Sequence, residues 1–176
     1  MDVQIKNNIK DIDEFVSTIV VNKEGKFFVF TREDNLKLDP GKKDFISGHI
    51  KANGEIPIQA MYREILEETG IQPEEIVKFY NLGTISLPHP QIKDKICHVY
   101  CIVIDFTKEQ LSESIKQRAK EKEIKEVEEI NTIKDLITDI KDLKSNWRIF
   151  CSKELEEKID MANNVFEKEK QQEKVK

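Results

Sequence analysis

The stretch that decides the fold runs from Glu55 to Ile71 and reads EIPIQAMYREILEETGI. On a helix, residues at i, i+3 and i+4 share one face, so Glu64, Glu67 and Glu68 would project together. Like charges at this spacing repel each other, and a helix gains no stability from stacking them. A divalent cation would relieve the repulsion, and carboxylate oxygens suit Mg²⁺ or Mn²⁺, which in turn suit phosphate substrates. The stretch therefore predicts a metal-binding helix.

Both ends of this helix are marked in the sequence. Pro57 lies in the first turn, where a missing backbone N–H costs little, and Gly70 is the residue expected to end the helix. Upstream, a short apolar strand is predicted to enter a loop that has Gly48 and Gly54 at its ends, where backbone groups can approach a metal or a phosphate. Apolar residues recur at helical spacing beside the acidic face: Ala60, Met61, Ile65 and Leu66.

These residues resemble the Nudix box, whose pattern is Gly, five residues, Glu, seven residues, and then Arg-Glu-apolar-x-Glu-Glu-x-Gly-apolar. The match is complete from Glu55 onward, with Arg63 at the start of its second part. The first glycine departs from the pattern, because His49 occupies its position and Gly48 lies one place earlier. Either His49 replaces the glycine, or the loop carries one extra residue near position 52 or 53. A Gly-His-apolar run is common in the family at this point and favours the second interpretation.

The resemblance implies an α+β protein, a Nudix-type α/β/α sandwich with a mixed β-sheet. It also implies that Glu64, Glu67 and Glu68 hold Mg²⁺ or Mn²⁺, with Glu64 and Glu68 as the favoured direct ligands. A main-chain carbonyl of Gly48 or His49 would complete the ligand set. The same three glutamates are expected to be among the catalytic residues.

Two further roles follow from the resemblance. Arg63 is expected to pair with Glu55 and to brace the loop against the helix, as structural support. A water molecule that attacks phosphorus must lose a proton, and a nearby carboxylate can accept it. In different Nudix subfamilies that base comes from the acidic helix or from a later loop. Glu123 and Glu126 flank the start of the last predicted strand, and Glu123 is the favoured base.

Substrate-binding residues are less sharply marked. Arg32 precedes the box and could bind phosphate, as could Lys37, Lys42 and Lys43, although most lysines and arginines of so charged a chain are expected on the surface. His49 lies beside the expected metal site and is the best histidine candidate for a phosphate contact.

The remaining pattern predicts one Nudix domain over residues 1–145 and a C-terminal helix over 146–176, packed on that domain and frayed at its end. Residues 108–122 are predicted to form a helical or mobile charged segment. The last helix is expected to turn a stripe of residues inward: Leu155, Ile159, Met161, Ala162, Val165 and Phe166. Strands are predicted at 14–21, 26–31, 76–87, 96–106 and 126–130, and helices at 132–137 and 152–170.

Composition argues against several classes of function. A net charge of −5 disfavours a general affinity for the nucleic-acid backbone. The longest apolar run near the start, 16–21, is too short to cross a membrane, and no N-terminal signal is apparent. The three cysteines lack metal-type spacing and suit free thiols in a reducing cytoplasm. Dimers are common in the Nudix family, so a homodimer is a further expectation.

Together these features predict a Mg²⁺-dependent pyrophosphohydrolase that cleaves a nucleoside diphosphate linked to another moiety, of the nucleotide sugar, ADP-ribose or nucleoside triphosphate class. One alternative is a Nudix-fold module that binds a nucleotide without cleaving it, which would not need the intact carboxylate array. The other is a protein like the prenyl diphosphate isomerases. That resemblance calls for a cysteine before the box, and Cys97, Cys101 and Cys151 all lie after it.

Overall fold

A seven-stranded sheet forms the centre of the computed structural model, which describes residues 12–87, 95–142, 146–148 and 153–175. The strands are β1 (Asp13–Asn22), β2 (Phe27–Arg32), β3 (Lys43–Asp44), β4 (Ile46–His49), β5 (Ile76–Leu87), β6 (Lys95–Ile104) and β7 (Ile124–Ile130). The helices are α1 (Pro57–Thr69), α2 (Lys108–Arg118), α3 (Ile133–Asp142) and α4 (Lys153–Lys174), with a 3₁₀ turn at Pro73–Glu75.

Strand β1 organises the sheet, because it pairs with three other strands. It runs parallel to β6 and antiparallel to β2 and β4. Strand β5 extends the sheet beyond β6, while β3 and β7 both pair with β2. Parallel and antiparallel pairs thus occur in one sheet, as the sequence predicted.

Side chains of β1 and β6 alternate between two apolar cores. Because both faces are covered, nearly every position of these strands is buried, which explains their continuous apolar sequence. One core joins the sheet to α1 and α2, and it includes Val16, Val20, Ile102, Ala60, Met61, Ile65 and Leu111. The other joins the sheet to α3 and α4, and it includes Phe15, Ile19, Val99, Leu136, Ile140, Leu155 and Ile159. The predicted α/β/α sandwich is confirmed.

The structure corrects several details of the helices. The predicted end of α3 at Ile137 is too early, because Ile140 still faces the core and the helix continues to Asp142. Helix α4 continues to Lys174 through Glu, Lys and Gln residues that favour helix, where a frayed tail was expected. Met161 does not point inward but is 43 % exposed, since the buried stripe of α4 follows Leu155, Ile159, Ala162 and Phe166.

The charged segment after β6 is a regular helix. Thr107 caps α2 by accepting a hydrogen bond from the Gln110 N–H, and the Gln110 side chain accepts one from the Thr107 N–H. Leu111 and Ile115 fasten the helix to the α1 side of the sheet. In the described part of the chain, no helix combines the length and apolar character that a bilayer crossing requires.

Candidate active site

Helix α1 carries its three predicted glutamates on the side that meets the end of β4. Glu64 and Glu68 are 6 % and 5 % exposed, although both are carboxylates. Glu67 is partly exposed beside them. Ala60, Met61 and Ile65 bury the neighbouring face of the helix, so packing fixes the direction in which the carboxylates point.

The loop between α2 and β7 brings two more carboxylates to the same place. The backbone N–H groups of Lys120 and Glu121 both donate to the Glu67 carbonyl at 2.9 Å. This carbonyl lies in the last turn of α1, where the helix itself supplies no donor. Farther along the loop, the Glu33 N–H donates to the Glu123 carbonyl at 2.8 Å. Glu121 and Glu123 are therefore held against the acidic end of α1 by the backbone.

The five carboxylates form two adjoining groups that could each hold a cation. Oxygens of Glu64, Glu67 and Glu121 lie within 4.8 Å of one another, as do oxygens of Glu68, Glu121 and Glu123. Glu121 belongs to both groups. Such all-oxygen donor sets fit Mg²⁺ and Mn²⁺, and the observed convergence is what a hard divalent cation requires.

The protein alone does not neutralise this cluster. Burial, reinforced by the Glu121 and Glu67 carboxylates, raises the pKa of Glu64 to about 7, although Arg63 opposes the shift. Burial also raises the pKa of Glu68 well above its ordinary value, helped by nearby carboxylates. The pKa of Glu121 is raised by burial and then by its acidic neighbours. A bound cation would oppose these shifts, because it favours the charged form of each carboxylate.

Arg63 connects the box to the acidic cluster. Its Nε and Nη2 donate to the two oxygens of Glu55 at 2.6 and 3.0 Å, which is the expected pairing. Its Nη1 also donates to Glu64 at 2.5 Å and to Glu67 at 3.1 Å. The hydrogen bonds from Arg63 lower the pKa of Glu55 to about 2. Arg63 thus braces the loop and also neutralises part of the cluster.

Gly48 is required by its contact with Glu64. A Cβ atom at this position would lie 2.0 Å from the Glu64 carboxylate, so any larger residue would displace that side chain. The next carbonyl, that of His49, accepts a hydrogen bond from Arg63 Nη2 at 2.8 Å, which leaves Gly48 as the better main-chain candidate for a metal ligand. His49 pairs with Phe15 in the β1–β4 ladder. Gly48 is therefore the glycine that the site needs, which favours the interpretation with one extra loop residue.

A cleft of about 300 Å³ opens beside these groups. Both predicted substrate-binding residues line it: Arg32 and His49, whose side chain is 70 % exposed. Glu126, the other candidate base, is exposed on β7 opposite Thr31 and lies outside the described lining. The lining consists of Phe15, Arg32, Leu38, Ser47, Gly48, His49, Glu64, Glu68, Lys95, Glu121, Glu123 and Arg148.

A model of the NUDIX domain matches residues 14–151, which is most of the chain. The chain belongs to the Nudix family. It is therefore a hydrolase of the family that acts on diphosphate bonds, as predicted. No curated protein sequence matches it.

Several solved structures share the Nudix fold at low identity. A MutT protein from Methanosarcina mazei Go1 is 17 % identical with a TM-score of 0.60, and the match covers 92 % of this chain and 97 % of that one. A C. elegans Ap4A hydrolase is 16 % identical with a TM-score of 0.57, covering 84 % and 93 %. The E. coli dihydroneopterin triphosphate pyrophosphohydrolase is 15 % identical with a TM-score of 0.52, covering 84 % and 92 %.

Arg32 is a largely buried cation in the lining of the cleft of this Nudix domain. Its side chain is only 12 % exposed, and its nearest charged partner is Glu123, at 3.7 Å from Nη1. Its buried Nε has no hydrogen-bond partner among the described residues. A guanidinium that lines a cleft beside a carboxylate cluster is well suited to a phosphate oxygen.

Sequence reasoning missed several residues of the cleft lining, among them Glu121 and Arg148. Glu121 lies in a glutamate-rich run, and nothing in that run distinguishes it from its neighbours. Arg148 directly follows Trp147, an apolar residue expected in a core. Trp147 does pack in the α3–α4 core, against Phe45 at 5.5 Å between ring centroids, but the Arg148 side chain enters the cleft. Neither placement has a local sequence signal.

Proposed function

We propose that this Nudix hydrolase is a Mg²⁺- or Mn²⁺-dependent pyrophosphohydrolase that cleaves a nucleoside diphosphate linked to another moiety. The observation that carries the proposal is the convergence of five carboxylates on one side of a cleft that also holds Arg32. The products would be a nucleoside monophosphate and a second phosphorylated compound, after attack of water on one phosphorus.

The cation would be held by Glu64, Glu67, Glu68 and Glu121, with the Gly48 carbonyl as a main-chain ligand. When bound, it would neutralise the diphosphate oxygens and lower the pKa of water. Every one of these donors is an oxygen atom, and the raised pKa values of Glu64 and Glu68 are typical of carboxylates that lack a counter-ion.

Other residues would accept the proton of the attacking water and bind the substrate. Glu123 would accept the proton of the attacking water at its carboxylate, because it lies at the cleft side of the cluster and is fixed by the Glu33 N–H. Glu121 is the rival base. Arg32 would donate to a phosphate oxygen from its guanidinium, and His49 would contact phosphate at the exposed mouth.

The proposed substrate classes are those that membership of the Nudix family supports. The proposed classes are nucleoside triphosphates, nucleotide sugars and ADP-ribose. Two of the similar structures are an Ap4A hydrolase and a dihydroneopterin triphosphate pyrophosphohydrolase, so compounds of both kinds belong in any panel of substrates.

The test is hydrolysis of this panel with Mg²⁺ and with EDTA, by the wild type and by Glu68→Gln. We expect Mg²⁺-dependent release of a nucleoside monophosphate from at least one class. Glu68→Gln should lower kcat/KM by about 10²–10³-fold, because it removes a charge that acts on the reacting centre. The matched control is Glu74→Gln, an exposed glutamate in the 3₁₀ turn, which should leave kcat/KM unchanged. If wild type and variant are equally inert but bind a nucleotide, the binding-module alternative is correct.

A further inference from the structure

One wall of the cleft is a projecting loop, residues 33–42, which joins β2 to β3. The Arg32 N–H donates to the Lys42 carbonyl at 2.9 Å and closes the base of the loop. Near the tip, Leu38 lines the cleft mouth although it is 67 % exposed. Burial of so exposed a side chain adds little to folding stability, which leaves Leu38 available for contact with a ligand in the cleft.

Asp39, the neighbour of Leu38, is the point at which the loop is tied down. Arg148 Nε donates to Asp39 Oδ2 at 3.1 Å, and both side chains are largely shielded from solvent. Asp39 also has a positive φ of 48°, a conformation that few residue types other than glycine, asparagine and aspartate adopt readily. The Arg148 contact therefore holds an unusual backbone turn directly beside Leu38.

Among the described residues, the other side-chain contact between this loop and the rest of the domain is weaker. Lys125 and Asp34 approach to 2.6 Å, but their side chains are 49 % and 68 % exposed. Pairs that are open to solvent contribute little, because water and salt screen them. The position of the loop tip thus depends mainly on Arg148.

Arg148 is itself firmly placed. Its Nη1 donates to the buried Asp44 at 3.0 Å and lies 3.4 Å from Ser47 Oγ. Its backbone N–H donates to the Lys43 carbonyl at 3.1 Å. One guanidinium therefore links the loop tip to the floor of the cleft.

Leu38 and Phe15 are the large apolar residues of a lining that is otherwise charged, small or polar. The carboxylates and Arg32 account for a cation and for phosphate, which leaves the apolar pair for the uncharged part of a substrate. Resting on the proposed function, we infer that Arg148 is a positioning residue for substrate recognition. Through Asp39 it holds Leu38 over the cleft, where Leu38 packs on the base of a nucleotide. Arg148 therefore affects the affinity for the base and does not affect the affinity for phosphate.

The first experiment measures the loop and needs no catalysis. Limited trypsin digestion should cut after the exposed Lys37 at least about fivefold faster in Arg148→Gln than in wild type, with Arg148→Lys between the two. Arg118→Gln is the matched control, because Arg118 also pairs with a carboxylate, that of Glu75, but lies outside the described cleft lining. Cleavage elsewhere in the chain reports global unfolding. An unchanged rate after Lys37 would overturn the inference.

The second experiment separates base from phosphate. Calorimetry in Ca²⁺ would compare the affinities for ATP and for inorganic tripolyphosphate, which has no base. We expect Asp39→Asn and Leu38→Ser to weaken ATP binding about five- to tenfold and to leave tripolyphosphate binding within twofold of wild type. Asparagine accepts the positive φ at this position, so Asp39→Asn leaves the turn itself possible and keeps the Arg148–Asp44 contact.

The outcomes separate this inference from the proposed function. Equal losses for both probes, no loss for either, or equal binding of both by wild type would overturn the role in base recognition. With a hydrolysed nucleotide, KM should rise in Asp39→Asn while kcat stays within twofold, and a fall in kcat alone would contradict the inference. A protein that hydrolyses nothing in the panel yet shows the selective loss of ATP affinity would refute the proposed function and support this inference.

Discussion

Two arginines lie near the cleft, Arg63 at the carboxylate cluster and Arg148 at the loop 33–42, and they leave different amounts of charge unbalanced. Arg63 donates to three carboxylates, those of Glu55, Glu64 and Glu67, and further glutamates lie beside them. One guanidinium cannot neutralise such a cluster. The surplus of negative charge on this side is therefore available for a cation.

The Arg148 side is balanced by comparison. Arg148 and Lys42 face Asp39, and Arg148 also contacts Asp44. Two cations thus face two carboxylates, with no excess charge that would attract a metal. We therefore expect the unbalanced charge to mark the side of the proposed chemistry, and the balanced charge to mark the side that gives the cleft its shape.

Removing each arginine should show this difference most strongly. Arg148→Gln leaves Asp44 buried without its partner and should lower the free energy of unfolding by about 3–5 kcal/mol, with or without Mg²⁺. Arg63→Gln should cost about 1–3 kcal/mol in EDTA and less in Mg²⁺, because the cation can neutralise the carboxylates that have lost their arginine partner. Urea unfolding of both variants in EDTA and in Mg²⁺ measures the two effects. If Mg²⁺ changed the free energy of unfolding of both variants equally, the proposed difference in charge balance between the two regions would be contradicted.

The contact between Gly48 and Glu64 allows a sharper test of the acidic side. Gly48→Ala places a methyl group where the Glu64 carboxylate lies, so Glu64 must move. We expect kcat/KM to fall by about 10²-fold, as for other displacements of about 1 Å in a catalytic group. Ser47→Ala, one residue earlier on the balanced side, should have a much smaller effect on kcat. Comparable losses in the two variants would show that Glu64 does not need its present position.

The surplus charge should also make the metal-free protein sensitive to pH. The folded-state pKa of Glu64 is about 7, above the value of 4.5 expected for the unfolded chain. The folded state therefore binds a proton that the unfolded state has released, and its stability falls as pH rises from about 4.5 to 7. The expected loss is about 2–3 kcal/mol from Glu64, and Glu68 adds to it.

Urea unfolding in EDTA across this pH range measures the loss, and Glu64→Gln should remove most of it. Glu55 has the opposite behaviour, because its lowered pKa stabilises the folded state above pH 4.5 and this contribution disappears only as pH falls toward 2. A stability that increases between pH 4.5 and 7 in EDTA would contradict the assignment of surplus charge.

The smallest effect is expected from the exposed ion pair of the loop. Lys125→Met breaks the contact with Asp34, but both side chains are largely open to solvent. Thermal unfolding and the rate of trypsin cleavage after Lys37 should both match wild type. A clear increase in loop cleavage would show that Arg148 is not the main contact that holds the loop. The role assigned to the Arg148 region in shaping the cleft would then be contradicted.

The sequence by itself determined the parts of this Nudix domain that depend on local periodicity. Helical spacing alone placed Glu64, Glu67 and Glu68 on one face, and Gly70 ended the helix where expected, with φ 75°. The Arg63–Glu55 pair, whose members are eight residues apart along the chain, was expected from the resemblance to the Nudix box. The doubly buried strand β6 followed from its unbroken apolar run.

Only the tertiary structure decided which distant segments complete the site. Glu121 reaches the cluster because its backbone donates to a carbonyl at the end of α1, and Arg148 contacts Asp39 and Asp44 across 109 and 104 residues. Local pattern fixes the face on which a side chain lies, but the segment that packs opposite that face depends on the whole arrangement of sheet and helices. An ordinary glutamate and an ordinary arginine therefore acquired their places in the cleft only through folding.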